Sequence, residues 1–137
     1  MKQLQTFVIH GQTQKINFIE TVEVNDSVEC DVYSFDADKD KDLGIIRIMN
    51  GGKTPLQKIL KGTKTIEGYI FGTGSFEVQK SDGEKRLYKV NPANKEFSVE
   101  LGIGDTMQWF ADQNSELVAY EVCYPPYEEG RYENLPE

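Results

Sequence analysis

Apolar residues in this chain come in short runs that alternate with polar ones and are cut off roughly every 8 to 12 residues by turn formers. In the first half these runs cover residues 4–9, 16–24, 28–35 and 43–49. Val28, Cys30 and Val32 set against Glu29, Asp31 and Tyr33 give the period of two that marks a half-buried strand. Asn25-Asp26 and Asn50-Gly51-Gly52 supply the turns between them. The pattern continues through 75–80, 85–90, 96–101, 106–111 and 116–123, with Asp82-Gly83 as a hairpin signal, a loop over 91–95 and Gly102–Asp105 as a further turn. No stretch has a convincing helical period. About ten short strands without helices predict an all-β, antiparallel sandwich or barrel.

The 137 residues, 38% of them hydrophobic, suit one globular domain spanning 1–137, and neither an internal repeat nor a domain boundary interrupts it. No apolar run approaches the ~18 residues that cross a bilayer, and the start lacks the apolar segment of a signal peptide, so a cytoplasmic protein away from membranes is expected. Cys30 and Cys123 sit in no metal-binding or redox spacing and are expected to be reduced, packed thiols. A formal charge of -8, with no basic stripe, argues against nucleic acid. No phosphate-binding loop precedes a helix, so no nucleotide cofactor is expected. The acidic run over 36–42 alternates carboxylates like half a calcium loop but lacks the loop's glycine, closing glutamate and flanking helices, and reads as a solvated connection. Pro125 and Pro126 keep residues 124–137 out of a sheet interior, as an extended tail over the domain or a partner subunit.

From Gly51 to Gly74 two strand-like runs separated by glycine turns enclose one acid, Glu67, followed after six residues by Gly74. Thr54-Pro55-Leu56, the Glu-Gly-Tyr-Ile run and Gly72-Thr-Gly74 accompany it, Gly104-Asp105 opens a second segment, and Pro125-Pro126 closes the chain. With these features, residues of about 43–127 resemble the cupin superfamily, whose first motif is G-x5-H-x-H-x(3,4)-E-x6-G. The resemblance implies a double-stranded β-helix, or jelly-roll barrel, with Glu67 facing its interior. The motif's histidine places fall on Leu60 and Gly62, Lys61 and Thr63, or Gln57 and Ile59, and none is histidine. The P-x-G-x-x-H segment of the second motif has no counterpart over 104–117, and the chain's one histidine, His10, lies far upstream. Iron, nickel, copper and zinc sites favour nitrogen or sulfur donors, so no metal ligand and no cofactor are assigned.

Alternation puts Glu67, Tyr69 and Phe71 on one strand face, with Ile66 and Ile70 on the other. A buried acid needs a partner or carries a raised pKa; Lys58, Lys61, Arg47 and Tyr69 are the partners considered. Glu67 and Tyr69 are the candidate acid/base residues, and Gln57, Lys58, Lys61, Phe71, Gln108 and Trp109 complete the candidate ligand-binding set. The favoured expectation is a binding module for a small polar or carbohydrate-like ligand. Behind it stand a filled barrel with a structural or assembly role and a metal-independent isomerase or lyase using Glu67. Exposed strand edges make a homodimer the expected state.

Overall fold

A computed structural model describes residues 3–9, 11–91 and 98–137; His10 and most of the expected 91–95 loop lie outside them. Twelve strands are assigned among the described residues: β1 (Thr6–Ile9), β2 (Gln12–Asn25), β3 (Val28–Phe35), β4 (Asp42–Ile48), β5 (Gln57–Ile59), β6 (Lys64–Gly72), β7 (Gly74–Gln79), β8 (Lys85–Val90), β9 (Ser98–Leu101), β10 (Thr106–Ala111), β11 (Leu117–Tyr124) and β12 (Tyr132–Asn134). All the pairings are antiparallel. They build a large sheet in the order β1-β2-β3-β4-β11-β6-β9 and a small one in the order β12-β5-β10-β7-β8. The expected all-β jelly roll is thus the observed architecture.

Because paired residues point to the same side of a sheet, the registers sort the large sheet into two faces. Val28, Cys30, Ile46, Ile48, Leu117, Ala119 and Tyr69 point inward and pack against Phe76, Val78, Met107 and Trp109 of the small sheet. Tyr33, Phe35, Leu43, Ile45, Ile66 and Val122 point outward and form a second apolar cluster with Ile16. That outer cluster is covered by the β1–β2 hairpin, where Phe7 meets Tyr120 edge-on at 5.1 Å and Phe18 meets Tyr33 at 5.6 Å. Gly68 allows Tyr120 to lie flat across this face, since a Cβ there would fall 2.4 Å from the ring.

Two bulges in β2 leave Ile19 and Val24 without partners, and a bulge in β6 does the same to Ile70. The last corrects the expected alternation. Tyr69 pairs with Ala119, but the next paired residue is Phe71, opposite Val118 on the outer face, where Phe71 is 56% exposed. One extra residue in a strand reverses the facing of everything beyond it. Phe71 therefore does not share a face with Glu67.

The proline-containing end of the chain runs over the domain and returns as β12 on the edge of the small sheet, with Pro125 and Pro126 outside the ladder. Arg131 anchors it. Its side chain is 1% exposed and donates to the carbonyls of Pro125 (3.0 Å), Lys64 (2.8 Å) and Tyr124 (3.3 Å) and to Thr65 Oγ1 (3.1 Å).

Candidate functional site

One transverse row of inward-facing residues crosses the large sheet: Val32, Gly44, Glu121, Glu67 and Val99 are successive register partners on β3, β4, β11, β6 and β9. Two glutamates therefore stand side by side inside the barrel. Glu67 is wholly buried, and its Oε1 accepts the Trp109 Nε1–H at 2.9 Å. Its Oε2 meets no donor among the described residues. Burial, and then the charge of Glu121, push the Glu67 carboxyl well above the usual carboxylate range, with the Trp109 bond opposing them in part. Glu67 faces Glu121 directly across the β6–β11 pairing.

Glu121 is half-buried and collects further donors. Tyr132 donates its hydroxyl to Oε1, and the Cys123 thiol reaches the same oxygen at 3.1 Å. Burial and the Glu121 charge raise both the Tyr132 and Cys123 pKa values, which keeps them neutral and donating. Asp42, the neighbour of Cys123 across the β4–β11 pairing, is likewise raised by burial, an effect partly offset by the Tyr127 N–H on its Oδ2 at 2.9 Å.

In front of Glu121 lies a cavity of about 660 Å³, within the range of small-molecule sites. Its floor is the inner face of β3, β4 and β11, including Cys30, Val32, Gly44, Ile46, Glu121 and Cys123. Ile19, Val22 and Val24 of the bulged β2 form one wall, and Thr54, Pro55, Gln57, Pro126, Tyr127 and Tyr132 form the other. Gly44 keeps the floor open: a Cβ there would stand 3.0 Å from the Cys30 Sγ, in the row beside Glu121.

Of the residues expected from the sequence to bind or react, Gln57 lines this cavity, its amide bonded to Asn134 Oδ1 at 3.1 Å. Glu67 sits directly behind Glu121. Tyr69 is buried and donates to the Asn91 carbonyl at 2.7 Å. Trp109 is 2% exposed and stacks on Phe76 with ring centroids 4.0 Å apart, so neither of its faces is free for a sugar. Gln108 donates to the Thr54 carbonyl at 2.8 Å and to Glu137 Oε1 at 2.7 Å. Lys58 is half-buried on β5 and Lys61 exposed beside Gly130; neither forms an ion pair among the described residues. Arg47, considered as a partner of Glu67, pairs instead with Asp31 and with Glu29 at 3.3 Å, because its place in β4 points outward. Glu121 and Tyr132 were not among the expected site residues, Cys123 was expected only as a packed thiol, and Asp42, expected in a solvated connection, instead opens β4 half-buried. The signal available was an acid at the inward phase of β11.

Asp105 of the Gly104-Asp105 turn has a structural task. It accepts from the N–H groups of Gly102 and Ser81 and from Lys80 Nζ, each at 2.8 Å. Burial works against its charge, but these donors outweigh it and lower its pKa.

Among the described residues, the donors around Glu67 do not fit a transition-metal centre. Trp109 occupies one oxygen of Glu67, and no group of three or more His, Cys, Asp or Glu side chains among the described residues could hold an ion. No helix of the described residues is long and apolar enough to cross a membrane.

No family model matches the chain, and no curated protein is similar to it in sequence. Solved structures are similar in fold. The Mn(II)-containing oxalate decarboxylase of Bacillus subtilis superposes with a TM-score of 0.69 at 16% identity, over 85% of this chain and 30% of the enzyme. CapF crystallised with 3-isopropenyl-tropolone gives a TM-score of 0.65 at 14% identity, over 86% of this chain and 35% of that one. The 7S globulin of Momordica charantia gives a TM-score of 0.65 at 10% identity, over 85% and 34%. This chain thus spans about a third of the length of each.

Proposed function

The chain is a cupin-fold protein, and from that premise we propose that it is a binding protein that holds a small ligand in the cavity before Glu121, with the ligand's polar group on that carboxylate. The observation that carries the reading is the cavity itself: about 660 Å³, mostly apolar walls, and two hydrogen-bonded carboxyl groups, Glu121 and Asp42, at the floor. For a carbohydrate-like ligand, stacking would come from Tyr127 and Tyr132, whose rings stand 5.9 Å apart, in place of the buried Trp109. Binding is favoured over an isomerase or lyase because Glu121 Oε1 already takes the Tyr132 hydroxyl and the Cys123 thiol.

The reading includes a cytoplasmic setting in which the two free cysteines stay reduced. It also includes a homodimer, because the sheets end on β1, β9, β12 and β8, strands with one edge unpaired among the described residues. Sedimentation as a monomer at micromolar concentration removes the dimer from the reading.

An amide-resolved NMR titration with a library of small polar fragments tests the function. Binders should shift Val22, Val32, Gly44 and Glu121 together, and Val32→Trp, which fills the floor, should abolish those shifts. Shifts confined to other surfaces, or binding indifferent to Val32→Trp, overturn the assignment.

A further inference from the structure

The chemical class of the ligand follows from charges that the protein leaves uncompensated. Neither Glu67 nor Glu121 forms an ion pair among the described residues. The wholly buried Glu67, facing Glu121 across the β6–β11 pairing, keeps an Oε2 that no other residue's donor reaches. Glu121 stands half-buried on the cavity floor with the second carboxyl behind it, and a charge withdrawn from water is ordinarily retained only where something balances it.

The cavity lining carries four carboxyl groups, Glu20, Glu23, Asp42 and Glu121, against two ammonium groups, Lys39 and Lys41. Lys39 Nζ donates to the Phe35 carbonyl at 3.2 Å. Lys41 Nζ pairs with Asp38 at 3.5 Å and sits 4.8 Å from the centre of the Phe35 ring. Arg131 lowers the Glu67 pKa from a distance, but its Nη groups are bound to three backbone carbonyls and a threonine hydroxyl. Asp42, on the same floor, adds a second acid and no cation.

We propose that the cavity binds an organic cation, an ammonium or guanidinium group on an apolar body, with its N–H groups on Glu121 and its body against Ile19, Val22 and Val24. The proposal rests on the reading of this cavity as the ligand site. The exposed Tyr127 ring on the opposite wall offers an aromatic face that attracts such a cation, whereas the Tyr132 ring already carries the Arg131 guanidinium 5.9 Å from its centre. The net charge of -8 draws cations toward the protein as a whole. The three β2 side chains, 54%, 41% and 38% exposed, supply the apolar surface that an uncharged body covers.

Three probes of one shape separate the possibilities: benzylammonium, benzyl alcohol and benzoate, titrated into the whole chain at neutral pH with amide shifts as readout. Benzylammonium should bind at least about tenfold more tightly than benzyl alcohol, with shifts at Glu121, Val22 and Tyr132, and the preference should vanish in Glu121→Gln. Should that variant fail to fold, the wild type still decides: the ammonium preference must shrink severalfold between about 0.02 M and about 0.5 M salt. Equal affinity for the alcohol and the ammonium at cavity residues, or a preference for benzoate, overturns the cation assignment and leaves the binding function standing. No cavity shift with any of the three at millimolar concentration overturns both.

Discussion

The two ends of the barrel interior are built from the same two sheets, yet one is filled and the other open. At the filled end Trp109 and Phe76 stack, and Ile48, Leu117 and Ala119 close around them with almost no exposure. At the open end the same strands β3, β4 and β11 present Val32, Gly44 and Cys123 to a cavity. The Glu67–Glu121 pair lies on the border, one acid held by the filled end through Trp109 and the other facing the open end. A sheet does not become a site by its fold. It becomes one where a missing side chain, here at Gly44, coincides with a polar group that its neighbours keep in place.

The sharpest way to break this contrast is Trp109→Ala. If the filled end carries stability and the open end function, the variant should lose about 3–5 kcal/mol in denaturant unfolding, the usual cost of removing a buried aromatic. A loss below about 1 kcal/mol would show that Trp109 is loosely held and that the two ends do not differ.

Glu67→Gln acts in the opposite direction. An acid whose folded pKa is raised binds more protons folded than unfolded, so its penalty is absent below the unfolded value of about 4.3 and grows as pH rises toward the folded one. Glutamine keeps the acceptor for Trp109 Nε1–H without the ionisation. The variant should gain about 1–2 kcal/mol at neutral pH and lose the part of the pH dependence that begins near pH 4. Thermal melts from pH 4 to 8 measure it; a destabilised variant with an unchanged pH profile would mean that Glu67 is ionised in the fold.

Phe71→Ser has the smallest expected effect. On the outer face beyond the β6 bulge, its replacement should change stability by no more than about 0.5 kcal/mol. A core-sized loss would place Phe71 back on the inner face and undo the register on which the glutamate row depends.

The same contrast explains what could be read from the chain alone. The strands of the filled end were legible because their signals are local, alternation over 64–69 and a Gly-Asp turn, whereas the packing of Trp109 on Phe76, which removes it from the expected ligand-binding set, was not. Strand boundaries followed closely, with 106–111 and 85–90 matching β10 and β8. The open end depends on pairing between strands far apart in sequence. Nothing near Glu121 reveals that β11 will lie between β4 and β6, or that a glycine 77 residues earlier will face it. The displacement of Phe71 has the same origin, since a bulge costs little locally and is decided by what the partner strand needs.

The docking of the chain end has a thermodynamic side as well. Pro126, Tyr127 and Tyr132 form a wall of the cavity, and that wall is attached to the domain through β12 and the oxygens around Arg131. A ligand that touches this wall and the floor together binds only the closed arrangement, so occupancy and attachment of the last residues form a single linked equilibrium. Slowed amide exchange at Glu133 and Asn134 then becomes a gauge of how full the barrel is, read at residues outside the cavity lining.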